Sequence, residues 1–380
     1  MAGVVALDLL AGDRFVDELR RLWDRGDAVL PVDHRLPPDA RGELLRALRP
    51  TSLLDADGEH ALDGRPTADG DALVVATSGT SGTAKGVVLT HEAVAASARA
   101  TNARLGVTAD DHWLACLPVA HIGGLTVITK ALAAGTALTV LPRFDPDALA
   151  AAAARGATLV SLVATALRRI DASLFRTVVL GGSSPPAALP TNVVTTYGST
   201  ETGSGVVYDG RPLDGVEVTL DATGEILVRS PTLLRCYRDG TDPRDDDGWF
   251  HTGDVGSWTD GVRLVVHGRR GDLIITGGEN VWPDAVEQVL SRHAAISEVA
   301  VAGLPDDEWG HRVVAWVVPV EPMAPPDLER VRAHVREVLP AFMAPRELRL
   351  VEQLPRTALG KIVRQRLAER SPSDVGHDGE

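Results

Sequence analysis

The sequence predicts an α/β protein with a large N-terminal domain of mostly parallel sheets, a small β subdomain and a small α+β C-terminal domain. Three observations predict it. Short apolar runs, Leu73-Val74-Val75-Ala76, Thr158 to Val163, Thr177 to Leu180 and Val193-Val194, end in glycine- or hydroxyl-rich turns and alternate with helix-like segments. Residues 206–270 alternate polar and apolar positions with many turns, as in Val216 to Leu220 and Gly224 to Val228. After Arg269 the pattern becomes a compact mixture of strands and helices. At 380 residues and 44% apolar content the chain can bury a large core in two or three folding units. The expected domains are 1–270, with a lead-in over 1–70 and the β subdomain at about 206–270, then 271–370, then a disordered tail over 371–380.

In order, the lead-in carries helical stretches at Asp13 to Arg25, with Phe15, Val16, Leu19, Leu22 and Trp23 on one face, and at Asp39 to Leu48. Nothing catalytic stands out there. Thr90 suits an N-cap for a helix to about Leu105, with Glu92 in the first turn. An alanine-rich helix begins at Asp145. Beyond residue 270, Leu273-Ile274-Ile275 is an expected strand and Pro283 opens a helix with Val286, Val289 and Leu290 inward. Strands follow at Val299 to Gly303 and Val313 to Val318. A helix from Asp327 to Leu339 places Leu328, Val331, Val335 and Val338 on one face.

Charge and cysteine content narrow the function. A net charge of −14 disfavours broad binding to nucleic acid or anionic membrane, while leaving room for a local basic nucleotide site. Cys116 and Cys236 show neither metal-ligand spacing nor a disulfide framework, so a reducing cytoplasm is the expected compartment. The N-terminus carries Asp8 and Asp13 instead of a basic stretch, and the uncharged run Trp113 to Thr129 is broken by Pro118, His121 and Gly123-Gly124. No signal peptide or membrane span is expected. Only Lys85, Lys130 and Lys361 are lysines among 38 basic residues. In so arginine-rich a chain, lysine should persist where a compact, mobile ammonium is needed. Lys130 lacks a motif context and reads as ordinary helix surface.

Thr77-Ser78-Gly79-Thr80-Ser81-Gly82-Thr83-Ala84-Lys85-Gly86 follows one apolar run and precedes Val87-Val88-Leu89, a loop held between two strands. Glycines admit close approach of backbone N–H groups to an anion, the Ser and Thr hydroxyls add donors, and Lys85 adds positive charge: a phosphate cradle, with a flexible surface turn as the competing reading. It is not a Walker loop, because Ala84 precedes Lys85 and Gly86 follows it. The stretch resembles the phosphate-binding signature of the adenylate-forming superfamily, which includes acyl-CoA synthetases, carrier-protein adenylation domains and luciferases. Further segments resemble that superfamily in the same order: Pro118-Val119-Ala120-His121-Ile122-Gly123-Gly124, Gly181-Gly182-Ser183, Tyr197-Gly198-Ser199-Thr200-Glu201-Thr202-Gly203, Trp249 to Asp254, Gly268-Arg269-Arg270-Gly271-Asp272, and Pro355 to Lys361. The resemblance covers about residues 70 to 370.

The resemblance implies the site. Thr77 to Gly82 and Lys85 would bind the ATP phosphates. Gly181, Gly182, Ser183, Tyr197, Gly198 and Thr200 would hold the adenosine, with Asp254 and Arg269 on the ribose. Thr200 and Glu201 offer the hard oxygen ligands that Mg2+ prefers. Lys361 would be the catalytic lysine, and His121, Gly123, Gly124 and Ser161 would line the acyl pocket. Gly277, Gly278, Glu279 and Asn280 would face CoA, and a hinge at Gly271 and Asp272 would make the C-terminal domain mobile. One departure is Cys236-Tyr237, where the family usually has Gly-Tyr. The implied reaction is ATP-dependent adenylation of a carboxylic acid with release of pyrophosphate, then thioester formation with CoA and release of AMP. The short N-terminal region, together with Ser161 to Thr165 and Val207 to Val216, resembles the short o-succinylbenzoate-CoA ligases of menaquinone synthesis. Ser161, Thr165 and Thr195 are candidates for the second carboxylate of that acid. A CoA ligase for another aromatic or short-chain acid, loading of a carrier protein, and a non-catalytic nucleotide-binding homologue stay open, as does assembly into a homo-oligomer.

Overall fold

The apolar run expected as a buried strand lies within Asp71–Ser78, near the middle of a seven-stranded sheet. The computed structural model describes residues 1–78, 84–186, 188–356 and 362–369. In sheet order the strands are Cys236–Tyr237, Ala84–Thr90, Asp71–Ser78, Ala28–Pro31, Val4–Leu7, Ser52–Leu54 and Glu59–Ala61. Val4–Leu7 pairs parallel with both neighbours, and Ala28–Pro31 also pairs parallel with Asp71–Ser78. Every residue of Val4–Leu7 and Ala28–Pro31 is buried, as strands covered on both faces require. The lead-in therefore supplies sheet strands as well as the expected helices, Asp13–Asp24 and Pro38–Leu48. Cys236 joins the core beneath this sheet with Val74, Val88 and Leu48, so the residue standing at the usual glycine position fills space in the interior.

A second seven-stranded sheet runs in the order Arg211–Pro212, Ser204–Tyr208, Val193–Ser199, Thr177–Leu180, Leu159–Leu162, His112–Ala115 and Ala137–Val140. Its last five strands are mutually parallel, and Ser204–Tyr208 turns back antiparallel on Val193–Ser199. The helix His91–Arg104 begins where expected: the Thr90 hydroxyl accepts from the Ala93 N–H at 3.1 Å. The helix Ile122–Ala134 is buried continuously from Gly124 to Ala131. That enclosure corrects the surface reading of Lys130, which is 2% exposed. Its ammonium lies 5.9 Å from the Trp113 ring centroid, and burial pushes its pKa down to about 8.

Residues 1–219, 227–252 and 258–264 form one compact unit; 220–226, 253–257 and the described residues from 265 onward form a second. Glu217–Leu220, Glu225–Arg229, Phe250–Thr259 and Arg263–Arg269 make a four-stranded sheet in that order. In the second unit the strands Glu279–Val281, Ile274–Thr276, Gly310–Pro319 and Ile296–Asp306 lie side by side, with Glu347–Leu350 parallel to Gly310–Pro319. Pro283–Leu290 and Leu328–Arg336 pack through Val286, Val289, Leu290, Val331 and Val335. The second helix stops at Arg336, earlier than its apolar spacing suggests, and leaves Val338 beyond it at 59% exposure. No helix among the described residues is long and apolar enough to cross a membrane.

Gly86 tests the packing of the first sheet. A β-carbon there would lie 2.9 Å from both Arg238 Cβ and Leu48 Cδ2 and 3.0 Å from Val74 Cγ1. Gly86→Ala should destabilise the protein by about 1–3 kcal/mol, read as a lower urea midpoint with unchanged slope; an unchanged midpoint would mean that the strands part freely.

Candidate active site

Parallel strands deliver their following loops to one edge, and both large sheets use that edge here. From the second sheet come the segment 117–121 after His112–Ala115, the segment from Val163 after Leu159–Leu162, Gly181-Gly182-Ser183 after Thr177–Leu180, and the turn Thr200 to Gly203 after Val193–Ser199. From the first come Val32 to Arg35 after Ala28–Pro31 and the C-terminal end of Asp71–Ser78, where the loop expected to bind phosphate begins. Thr77 and Lys85 face each other across the antiparallel pair flanking that loop, and the Thr77 hydroxyl donates to the Lys85 carbonyl at 3.4 Å. Gly79, Thr80, Ser81 and Gly82 lie outside the described residues, as does Lys361.

Two contacts bring the sheets' edges together. In the first, Lys85 Nζ sits 5.2 Å from the Tyr237 ring centroid, and the Tyr237 hydroxyl donates to Glu201 Oε1 at 3.2 Å. The Glu201 turn is held from several directions. Its carbonyl accepts from Leu234 N at 2.8 Å, the Thr202 hydroxyl contacts the Ser199 and Ser204 carbonyls, and Ser97 donates to the Gly203 carbonyl at 3.2 Å. Gly198 has no room for a side chain, because a β-carbon would fall 2.1 Å from the Ser204 carbonyl oxygen. In the second contact, His121 Nε2 lies 3.8 Å from Asp33 Oδ2. Asp33 is buried and takes a two-pronged pair from Arg35, at 2.8 Å from Nε and 2.6 Å from Nη2. Burial alone would raise the Asp33 pKa, but the Arg35 hydrogen bonds outweigh it and hold it below the usual carboxylate range. Burial depresses the His121 pKa, against an upward pull from Asp33, and so favours the neutral imidazole.

The remaining predicted residues divide by geometry. Gly181 lies beside Thr196, whose hydroxyl oxygen would be 2.7 Å from a β-carbon on Gly181, next to the half-buried Tyr197. Gly182 takes a left-handed φ of 86° and is exposed, as is Ser183. Gly124 is packed against its own chain, 2.4 Å from the Pro118 oxygen at the β-carbon position, whereas Gly123 is open. Ser161 is buried and its hydroxyl has no hydrogen-bond partner among the described residues. Thr165 is exposed, and the Thr195 hydroxyl is spent on Asp209 at 3.1 Å.

In the second unit Asp254 and Arg269 form an ion pair at 2.9 Å. Arg270–Asp272 is a 3-10 turn. Arg270 pairs with Glu225 at 2.9 Å, and Asp272 accepts from Arg364 at 2.9 Å. Gly271 between them meets nothing at the β-carbon position. Gly277 and Gly278 form the two-residue turn between Ile274–Thr276 and Glu279–Val281, with φ of 59° and 83°. The hairpin itself calls for glycine there. The Trp309 ring packs against Gly277, 2.8 Å from a β-carbon position, so that turn also has a packing reason to be bare.

Sequence reasoning missed Asp33 and Arg35 and treated Tyr237 only as a backbone question. Charged residues directly after the apolar run Ala28 to Val32 were a readable signal, because that run is a strand ending at the ligand edge.

Residues 54–238 match the AMP-binding enzyme family and residues 285–361 match the AMP-binding enzyme C-terminal domain. The chain is 41% identical to a probable 2-succinylbenzoate–CoA ligase of Mycobacterium tuberculosis, over 88% of this chain and 90% of the relative. It is 34% identical to a 2-succinylbenzoate–CoA ligase of Bacillus cereus, over 78% and 69% of the two chains. Among solved structures, the fold is similar to o-succinylbenzoate CoA synthetase from Bacillus subtilis in complex with the acyl-adenylate intermediate. That match has a TM-score of 0.86 at 26% identity and covers 97% of this chain and 88% of that one. The same Bacillus subtilis enzyme with ATP and magnesium gives a TM-score of 0.85 at 27% identity, covering 96% and 89%.

The Asp33 charge should be measurable at His121. Asp33→Asn removes the upward pull, so the His121 pKa should fall further, read by NMR titration of the imidazole; a constant or rising value would remove Asp33 from its surroundings. His121 binds its proton less readily folded than unfolded. Its contribution to stability is therefore complete above the ordinary value of 6.5 and is lost as pH falls through its lower folded value.

Proposed function

The chain belongs to the AMP-binding enzyme family, and from that premise we propose that it is an AMP-forming acid–CoA ligase converting o-succinylbenzoate to o-succinylbenzoyl-CoA. The observation that carries the reading is the meeting of two sheet edges, where Lys85 of the phosphate loop and Glu201 of the nucleotide motif share Tyr237 while His121 lies at the same edge. The choice of acid rests on the relatives.

A carboxylate is a poor acyl donor because its charge repels nucleophiles and its oxygen leaves badly. Joining it to AMP removes both obstacles. A carboxylate oxygen attacks the α-phosphorus of ATP, the new O–P bond forms as the bond to pyrophosphate breaks, and an acyl-adenylate results. The work of the protein is positioning and charge neutralisation. Thr77, Ser78, Gly79, Thr80, Ser81, Gly82 and Lys85 cradle the phosphates. Gly181, Gly182, Ser183, Tyr197 and Gly198 bound the adenine side, and Asp254, paired to Arg269, takes the ribose hydroxyls. The Glu201 carboxylate and the Thr200 hydroxyl are the hard donors that suit magnesium. Among the described residues no cluster of three or more His, Cys, Asp or Glu could hold a metal unaided, which fits a cation shared with phosphates. When bound, magnesium supplies positive charge against the phosphate oxygens.

In the second half-reaction the CoA thiol loses its proton, its sulfur attacks the acyl carbon, and the C–O bond to AMP breaks. We assign the acyl side to His121, Gly123, Gly124 and Ser161, and the CoA side to Gly277, Gly278, Glu279 and Asn280. Gly271 and Asp272 are the hinge, 1–270 the nucleotide-binding domain and 271–370 the mobile one. We assign the Ser161 hydroxyl, which has no hydrogen-bond partner among the described residues, to the second carboxylate of the acid.

Pyrophosphate release from MgATP should occur with o-succinylbenzoate alone, and the CoA thioester should appear by mass analysis when CoA is added. Activity confined to other acids would keep the reaction and discard the substrate. No release with any acid would leave a nucleotide-binding homologue. Lys361→Ala should slow adenylation by about 100- to 1000-fold and spare thioester formation from a preformed adenylate; equal loss of both half-reactions would remove Lys361 from the first step.

A further inference from the structure

Tyr237 makes contacts in the site that the reaction above leaves without a task. Its ring lies under the Lys85 ammonium and its hydroxyl holds Glu201 Oε1. Among the described residues no ion pair joins Lys85 to Glu201, although both reach the same side chain and carry opposite charges. Glu201 Oε2 accepts no hydrogen bond among the described residues. We propose that Tyr237 is a positioning residue that keeps Lys85 and Glu201 apart, so that a cation and a phosphate meet two charges that have not neutralised each other. This rests on the reading of Glu201 and Lys85 given under Proposed function.

The backbone makes Tyr237 a stiff spacer. Cys236–Tyr237 pairs antiparallel with Ala84–Thr90, opposing Tyr237 to Val87, two residues from Lys85. The Tyr237 N–H donates to the Thr241 carbonyl at 2.7 Å and its carbonyl accepts from Gly240 at 2.9 Å. The next residue, Arg238, is buried and donates to the Gly86 carbonyl through its N–H. Chemistry makes the residue fit. An aromatic face attracts an ammonium without cancelling its charge, and a neutral hydroxyl orients a carboxylate while leaving the second oxygen open. A lysine or arginine at 237 would neutralise Glu201. A small residue would let Lys85 close on it.

The test is Mn2+ binding in place of magnesium, read from the EPR signal of free Mn2+ with the protein saturated by α,β-methylene-ATP, which cannot release pyrophosphate. Tyr237→Phe keeps the spacer and loses the hydrogen bond, so Mn2+ affinity should fall about three- to tenfold, because Glu201 must then be ordered by the metal. Tyr237→Ala should lower it further. Adding Lys85→Met to Tyr237→Ala should recover part of the loss by removing the ammonium that competes for Glu201. Thermal unfolding checks that each variant is folded, and Tyr237→Phe alone decides the question if the alanine variant is not. Wild-type affinity in Tyr237→Phe, or no recovery in a folded double variant, would overturn the proposal while pyrophosphate release by the wild type leaves the ligase reading standing. A wild type that neither binds Mn2+ with the nucleotide nor releases pyrophosphate would overturn both.

Discussion

The buried guanidinium of Arg238 is the constraint on which the site depends. It donates to the carbonyls of Leu48 at 2.9 Å, Arg49 at 3.0 Å, Pro66 at 3.1 Å and Arg65. All four acceptors are uncharged, so burial is not offset by a partner carboxylate, and the Arg238 pKa is driven down to about 10. Only a planar fork with several fixed donors can satisfy so many carbonyls at once; lysine could not. Each carbonyl left without a donor in the interior would cost about 1–3 kcal/mol. The consequence is local rigidity. The short strand that ends at Tyr237 is locked to the edge of the first sheet, beside the Lys85 strand.

A second anchor lies just upstream. Arg235 forms a two-pronged pair with the fully buried Asp71, at 2.8 and 2.7 Å, and its N–H meets the Val88 carbonyl. Thr67 and Ala68 also donate to Asp71, so this charge is surrounded by donors. Just ahead of both arginines, the Leu234 N–H holds the carbonyl of Glu201, and the Thr232 hydroxyl holds that of Thr202. One stretch of about seven residues therefore binds the first sheet with its arginines and the Glu201 turn of the second sheet with the Leu234 N–H and the Thr232 hydroxyl. Position within a few tenths of an ångström matters for phosphoryl transfer, where alignment and charge do most of the work.

The glycines show how one residue type serves several ends. Gly86, Gly124 and Gly198 lie in motifs that suggest close approach to a ligand, yet each is bare because the protein's own chain passes where a β-carbon would be. Gly182 and the pair Gly277-Gly278 are different, since their φ values lie in the left-handed region. A motif glycine read from sequence thus signals crowding or an unusual turn, and the neighbour responsible is visible only in three dimensions.

Much of this protein was legible in its sequence because the signals are local. Strand runs such as Asp71–Ser78 and Thr177–Leu180, the Thr90 cap, the Pro283 helix start and the inward faces of the second unit follow from periodicity and turn chemistry within a few residues. So does the placing of Glu201, Tyr197 and Gly181 at strand ends. Boundaries were less secure: the strands within the lead-in were missed, and the helix carrying Val335 ends before Val338. The burial of Lys130 was decided by the layers around its helix, which no spacing records. The same is true of the pairs Asp33 with His121 and Tyr237 with Glu201. Residues far apart in sequence meet there because sheet order brings two edges together, and sheet order is set by the packing of the whole unit.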